Sequence, residues 1–288
     1  MTAARVLVLL DNSRGHARQA LGVARSLGHP FAVMKPDYRA TARLPNLLTG
    51  WWLDTTRQGW VSPAPDLVIG CGRRTAPVAL AIAHRFTATR LVQIMWPEVM
   101  PGRFDLVVLP EHDRRRRAAS ILRVLLPPTD LMPPAPSRIA SGSLLAVIGG
   151  TRRGRAADVA GFVERVRRAA GGGPVEFIAS PRTPAGLATL PDLQPFDTYV
   201  ERLARCERVA VTGESASVMA DAARFGRPLL IDRLGQASHG KLAILHDLLR
   251  ENRLACDLAR PVHLPTGTLV DTASEIAHEI RRRGLLTT

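Results

Sequence analysis

Short apolar runs alternate along the chain with segments whose apolar residues recur at helical spacing. Val6–Leu10 is a continuous apolar run, the signature of a strand buried on both faces. Polar Asp11–Gly15 interrupts it. Ala17, Ala20, Leu21, Ala24 and Leu27 then follow the 3, 4, 7 spacing of one helical stripe, which predicts a helix from His16 to Leu27. Strands are predicted at Phe31–Met34, Asp66–Gly70, Leu91–Met95 and Phe104–Leu109. Between the second and third of these lies a helix carrying Val78, Ile82 and Phe86 on one face and Pro77 near its first turn.

From Leu126 to Ser141 the alternation stops. Pro127, Pro128, Pro133, Pro134 and Pro136 forbid a regular helix or a central strand, so the stretch reads as a linker. The pattern then restarts with strands at Leu144–Ile148, Val175–Ala179, Arg208–Val211 and Pro228–Ile231. Helices are predicted around Val159–Val166 and over Thr198–Cys206, Ser215–Phe225, His239–Arg250 and Thr272–Arg283. Repeated strand–helix–strand units imply parallel sheets with helices on both faces. The fold class is therefore α/β, with two Rossmann-like halves. The expected division is 1–126, a linker over 127–142, a second domain over 143–270, and a terminal helix over 271–288 that packs back on the first domain.

Composition narrows the class. With 288 residues and 46% apolar content the chain is long and apolar enough for two ordinary cores, which excludes disorder as its main state. No apolar run approaches the roughly 20 residues of a membrane-spanning helix, and the first run is too short for a secretory signal. The three cysteines, Cys71, Cys206 and Cys256, are too widely spaced for a disulfide framework or a paired metal knuckle, which suggests a reducing, cytoplasmic setting.

The formal net charge is +14, and only Lys35 and Lys241 among the 39 basic residues are lysines. Arg114–Arg117, Arg152-Arg153 with Arg155, and Arg281–Arg283 would attract phosphates or an anionic membrane surface. Aromatics are only 5%, and no RNA-binding aromatic motif, zinc finger or basic zipper is present, so nucleic acid is not the expected partner. Nothing in the sequence sets an oligomeric state.

Ligands of such folds bind beyond the carboxyl ends of the strands, so the loops after strands carry the candidate chemistry. In Asp11–His16, a helix start with Gly15 suits an anion, and His16 is a candidate general base; the alternative is a simple capped turn. Gly149-Gly150-Thr151 lacks the Gly-Lys-Ser/Thr ending of a Walker loop, yet its glycines and hydroxyl suit a diphosphate. Thr212, Glu214, Ser215 and Ser217 precede or open a helix on which Asp221 lies one turn further, placed for ribose hydroxyls. Arg182 and Thr183 follow another strand and offer a phosphate clamp, as does Lys241 at a helix start. Glu111 and His112 offer an acid–base pair, with Glu98 a further rival for the base. Adjacent residues seldom converge on one ion, so no metal site is expected.

In this order the loops resemble the bacterial branch of the family named after a plant mitochondrial-fission factor, "elongated mitochondria". The matching stretches are Gly15-His16, Gly70–Pro77, Gln93-Ile94, Phe104–Asp113, Ile148–Gly150, Ser180–Pro184, Val211–Ser215 and Gly226–Pro228. Pro181 and Glu214 depart from it, at positions where a Ser or Arg and an Asp are expected. The resemblance implies a glycosyltransferase-B-like fold, two Rossmann-type domains facing across a cleft. The C-terminal half would take a nucleotide-diphosphate sugar and the N-terminal half a cell-envelope or lipid-linked acceptor, with no metal and no cofactor. Asp221 would hold the ribose; Gly149, Gly150, Arg182, Ser215 and Ser217 would neutralise the diphosphate. The protein would work in the cytoplasm or on the inner membrane face. The alternative is a non-catalytic scaffold recruiting a membrane-remodelling partner, and a nucleotide-sugar epimerase is a third reading of the same architecture.

Overall fold

The strands of the first half place alternate side chains in two different cores. Val6 and Val8 pack with Leu67, Ile69, Leu106 and Val108 on one face, while Leu7 and Leu9 pack with Val68, Val107 and Leu109 on the other. Burial on both faces is why these strands are continuous apolar runs rather than alternating ones. The computed structural model describes residues 5–38, 63–115, 118–133, 139–149, 158–180, 183, 193–233, 240–261 and 264–286. It divides into two compact units, residues 1–130 with 272–288 (unit 1) and residues 131–271 (unit 2).

Among the described residues unit 1 has six strands: β1 (Val6–Leu9), β2 (Phe31–Met34), β3 (Leu67–Cys71), β4 (Arg90–Ile94), β5 (Leu106–Pro110) and β6 (Ile121–Val124). Between these strands lie the helices α1 (Arg14–Ser26) and α2 (Thr75–Arg85). The sheet is parallel with order β2-β1-β3-β4-β5-β6. β6 lies beyond the predicted strands. It is only partly buried, as its mixed sequence Ile-Leu-Arg-Val reflects.

Residues 127–130, expected as linker, belong to unit 1. Arg18 on α1 donates to Asp130 Oδ1 and Thr129 Oγ1, both at 2.8 Å, and Leu126 is fully buried. Prolines there forbid a helix but leave an extended chain free to pack.

Unit 2 contains β7 (Leu144–Ile148), α3 (Val159–Ala170), β8 (Val175–Ala179), β9 (Leu193–Gln194), α4 (Tyr199–Arg205) and β10 (Arg208–Thr212). It continues with α5 (Ala216–Arg224), β11 (Leu229–Asp232), α6 (Lys241–Glu251) and β12 (Ala255–Asp257). Its sheet is also parallel, with order β12-β11-β10-β7-β8-β9, the Rossmann order. The core of one face is Leu144, Ala146 and Ile148 against Phe162, Val163 and Val166 of α3.

The last helix, α7 (Thr272–Arg282), completes unit 1. Its buried Ala273, Ile276, Ala277 and Ile280 form a stripe of i, i+3, i+4, i+7 spacing, which joins the α1 side of the core. Arg281 donates to the carbonyls of Ser26 (2.9 Å) and Leu27 (2.8 Å), so a cation sits on the negative end of α1. Among the described residues, no helix is long and apolar enough to cross a membrane.

Candidate functional site

Each sheet has a switch point where the chain, having built strands to one side, crosses to the other. It falls between β1 and β3 in unit 1 and between β7 and β10 in unit 2. At such a point two loops diverge from neighbouring strand ends and leave a crevice, and here both crevices contain a buried carboxylate.

In unit 1 the carboxylate is Asp11. Its Oδ1 accepts from the Ser13 backbone N–H at 2.8 Å, and its Oδ2 lies 2.7 Å from His16 Nδ1. The Asp11 side chain is 6% exposed and that of His16 28%, so the imidazole stands partly open over a buried carboxylate. Ser13 caps α1, accepting from the His16 backbone N–H. The neighbouring loop, after β3, passes under the imidazole at Gly72, with φ +82°; a Cβ there would meet His16 Nδ1 at 2.5 Å. Only glycine allows both that backbone and that approach. Buried Gln93 supports the turn from below, donating to the carbonyls of Gly72 (2.9 Å) and Ile94 (3.1 Å). Burial, reinforced by the Asp11 charge, raises the Tyr38 hydroxyl and Cys71 thiol pKa values well above their ordinary ranges.

In unit 2 the carboxylate is Glu214. The Gly149 N–H donates to Thr212 Oγ1 at 2.8 Å, and the Thr212 hydroxyl donates to Glu214 Oε1, also at 2.8 Å. A Cβ on Gly149 would fall 1.3 Å from Glu214 Oε1, so glycine is what admits the carboxylate between the strand ends. Gly213 is held from two sides. Its N–H donates to the Asp232 carbonyl at 2.8 Å, and its carbonyl lies 2.7 Å from His246 Nε2 on α6. Burial holds the His246 pKa below the ordinary value, so the neutral ring donates this bond through Nε2–H. Beside them Thr183 Oγ1 donates to the Ile148 carbonyl at 2.6 Å, which brings the loop after β8 against the end of β7.

The other expected site residues take distinct places. Ser215 is buried at the N-cap of α5 and Ser217 is exposed on its first turn. Asp221 is interior, 1% exposed, with the Tyr199 hydroxyl 3.3 Å from its Oδ2. A ribose reaching it would have to displace that contact. Lys241 is exposed at the start of α6. Gly150, Thr151 and Arg182 lie outside the described residues.

Glu111 and His112 occupy the turn after β5, three strand spacings from β1 or roughly 14 Å. Glu111 is exposed; burial, reinforced by the Glu111 charge, raises the pKa of Glu275 on α7. Arg123 holds this turn through the carbonyls of Pro110 (3.1 Å) and Asp113 (2.6 Å), and Asp113 pairs with Arg115. The structure thus separates these two residues from His16. Sequence reading missed Asp11 as a partner of His16, although it stands in the same loop. It also missed His246, which no local pattern marks. Of the arginine clusters, Arg114 and Arg115 are exposed, whereas Arg282 and Arg283 pair with Glu279 and hold its pKa at about 2.

The family model described as mitochondrial fission ELM1 matches residues 14–284. The chain belongs to the mitochondrial fission ELM1 family. An uncharacterised protein (RP120) of Rickettsia prowazekii, strain Madrid E, is 31% identical over 115 residues, 38% of this chain and 32% of that protein. The match thus spans about a third of that relative's length.

Solved structures similar over nearly the whole chain include the spinosyn forosaminyltransferase SpnP, with TM-score 0.57 and 14% identity over 99% of this chain and 95% of that one. The glycosyltransferase SnogD from Streptomyces nogalater has TM-score 0.55 and 16% identity over 98% and 95%. A co-structure of S. aureus MnaA with UDP has TM-score 0.53 and 11% identity over 99% and 98%. At such identities the likeness establishes the fold, an α/β architecture of glycosyltransferase-B type with two parallel six-stranded sheets.

Proposed function

We propose that the protein is a metal-independent glycosyltransferase, with unit 2 holding a nucleotide-diphosphate sugar and unit 1 supplying the base that activates an acceptor hydroxyl. The observation that carries this reading is the Asp11–His16 pair at the unit 1 switch point. With Nδ1–H donated to a buried carboxylate, the imidazole is fixed in one tautomer and Nε2 keeps its lone pair. Asp11 also stabilises the imidazolium that forms when Nε2 takes a proton. The acceptor oxygen then bonds to the anomeric carbon, the bond from that carbon to the diphosphate breaks, and the nucleotide diphosphate leaves with the electron pair.

In unit 2 the leaving anion would be met by the N-terminus of α5, Ser215, Ser217 and Lys241. Solved neighbours named as glycosyltransferases support the reading, as does the neighbour crystallised with UDP. The acceptor in this reading is a cell-envelope or lipid-linked hydroxyl compound at the inner membrane face, where exposed Arg114 and Arg115 would favour anionic headgroups.

The test is nucleotide release from UDP-, GDP-, TDP- and CMP-sugars without added metal, by the wild type and by His16→Gln. One donor class is expected to turn over, with a loss of about 10²–10⁴-fold in the variant. Absence of both turnover and binding across the whole panel removes the reading.

A further inference from the structure

The carboxylate of Glu214 is unusual because only half of it is satisfied. The residue is 8% exposed, Oε1 takes the Thr212 hydroxyl, and Oε2 is buried with no hydrogen-bond partner among the described residues. An ionised carboxylate accepts through two oxygens, and leaving one dry is among the costlier defects a protein core tolerates. The surrounding loop does not relax to cure it. Gly213 is pinned by Asp232 and His246, and the missing side chain of Gly149 is what makes room for the carboxylate at all. The position is the switch point of the Rossmann-ordered sheet, two residues before α5. The local geometry therefore maintains an unfilled acceptor where this fold binds ligands.

We propose that Glu214 Oε2 is the group in unit 2 that recognises a sugar hydroxyl, accepting an O–H from the ribose of the nucleotide or from the transferred sugar. The inference rests on the nucleotide-sugar reading above and specifies its site. A phosphate is the wrong occupant, because its negative charge and that of the carboxylate repel each other across a poorly screened gap. A hydroxyl donates to the vacant oxygen and leaves the diphosphate to the helix N-terminus and cationic side chains. Asp221, the acidic residue one turn into α5, is instead engaged by Tyr199 in the interior.

The experiment compares wild type, Glu214→Gln and Glu214→Ala by thermal melting alone and by calorimetric titration with UDP, GDP, their 2′-deoxy forms, UDP-glucose, GDP-mannose and pyrophosphate. Glutamine keeps an oxygen for Thr212 but turns a donor toward the ligand hydroxyl. Free Glu214→Gln is expected to melt at or above the wild type, by up to about 2 °C, because a buried charge has been removed. Its affinity for the matching nucleotide should fall at least about tenfold, with pyrophosphate binding unchanged. A penalty that vanishes with the 2′-deoxy form assigns the hydroxyl to ribose, and one seen only with the sugar conjugate assigns it to the transferred sugar.

Undiminished affinity in both variants overturns the inference. So does a folded Glu214→Gln that melts well below the wild type, since the charge would then be serving the fold. A wild type that ignores every nucleotide, beside a Glu214→Gln that melts higher, retires the glycosyl-transfer reading while leaving the unfilled acceptor standing.

Discussion

Each switch point holds a buried carboxylate, from the loop after β1 in unit 1 and from the loop after β10 in unit 2, and the two are used in opposite ways. Asp11 is spent: one oxygen holds a backbone N–H and the other orients His16, which is left partly open. Glu214 is held back: one oxygen is tied through Thr212 to the end of β7 and the other has no hydrogen-bond partner among the described residues. A satisfied anion beneath an open imidazole is the arrangement of a base. An unsatisfied anion beside a rigid loop is the arrangement of a receptor. On the proposed reading the two parallel sheets therefore serve two roles, because function lives in the loops that meet at the crevice rather than in the sheet.

The largest effect that would break this comparison comes from the two close-approach glycines. Gly149→Ala places a methyl 1.3 Å from Glu214 Oε1 and should cost about 3 kcal/mol or more in denaturant unfolding of unit 2. Adding Glu214→Ser should restore most of that loss, and a double-mutant cycle reads the coupling. Gly72→Ala meets the movable His16 ring at 2.5 Å and carries a positive φ, so its cost should be smaller, about 1–3 kcal/mol. Equal costs, or no rescue by the shortened residue 214, would show that Glu214 is not wedged against β7.

Next in size is Asp11→Asn. The amide keeps the shape of the pair but no longer stabilises an imidazolium, so kcat with the donor that turns over should fall about 10²-fold with little change in melting temperature. A rate loss with an equal loss of stability would make Asp11 a structural cap.

The smallest effect is a pH dependence confined to unit 2. His246 is buried with its pKa below the ordinary 6.5, so below that pH the unfolded chain takes up a proton that the native state resists. Stability conferred by the neutral ring is complete at pH above 6.5 and declines as pH falls from there toward the depressed native value. The melting temperature should therefore drop between about pH 7 and pH 5, and His246→Gln should flatten that slope. An unchanged slope would show that other groups govern it.

Much of the scaffold was legible. β2, β7 and β8 fall where their apolar runs predict, and Rossmann-like halves follow from the alternation of strands and helices. The strands that escaped prediction, β6, β9 and β12, are short and partly exposed, so their apolar signal is diluted by polar neighbours. The site was legible only as a set of loops. His16 was visible as a histidine at a helix start, but its pairing with Asp11 depends on a turn geometry that residue types do not specify. Asp221 followed the helical spacing as expected, yet it is buried beside Tyr199 on α4, a residue 22 positions away, which helical spacing does not reveal.

What the sequence by itself determined is the sequence of elements and the places where they stop. These are local matters, governed by apolar period, glycine and proline. What only the tertiary structure decided is which loops meet. β1 pairs with β3 across some sixty residues, as β7 does with β10. Such non-local pairings put Gly72 under His16 and Glu214 against Gly149. They are selected by the summed packing of both sheet faces, to which each residue contributes little on its own, so no short window of sequence contains them.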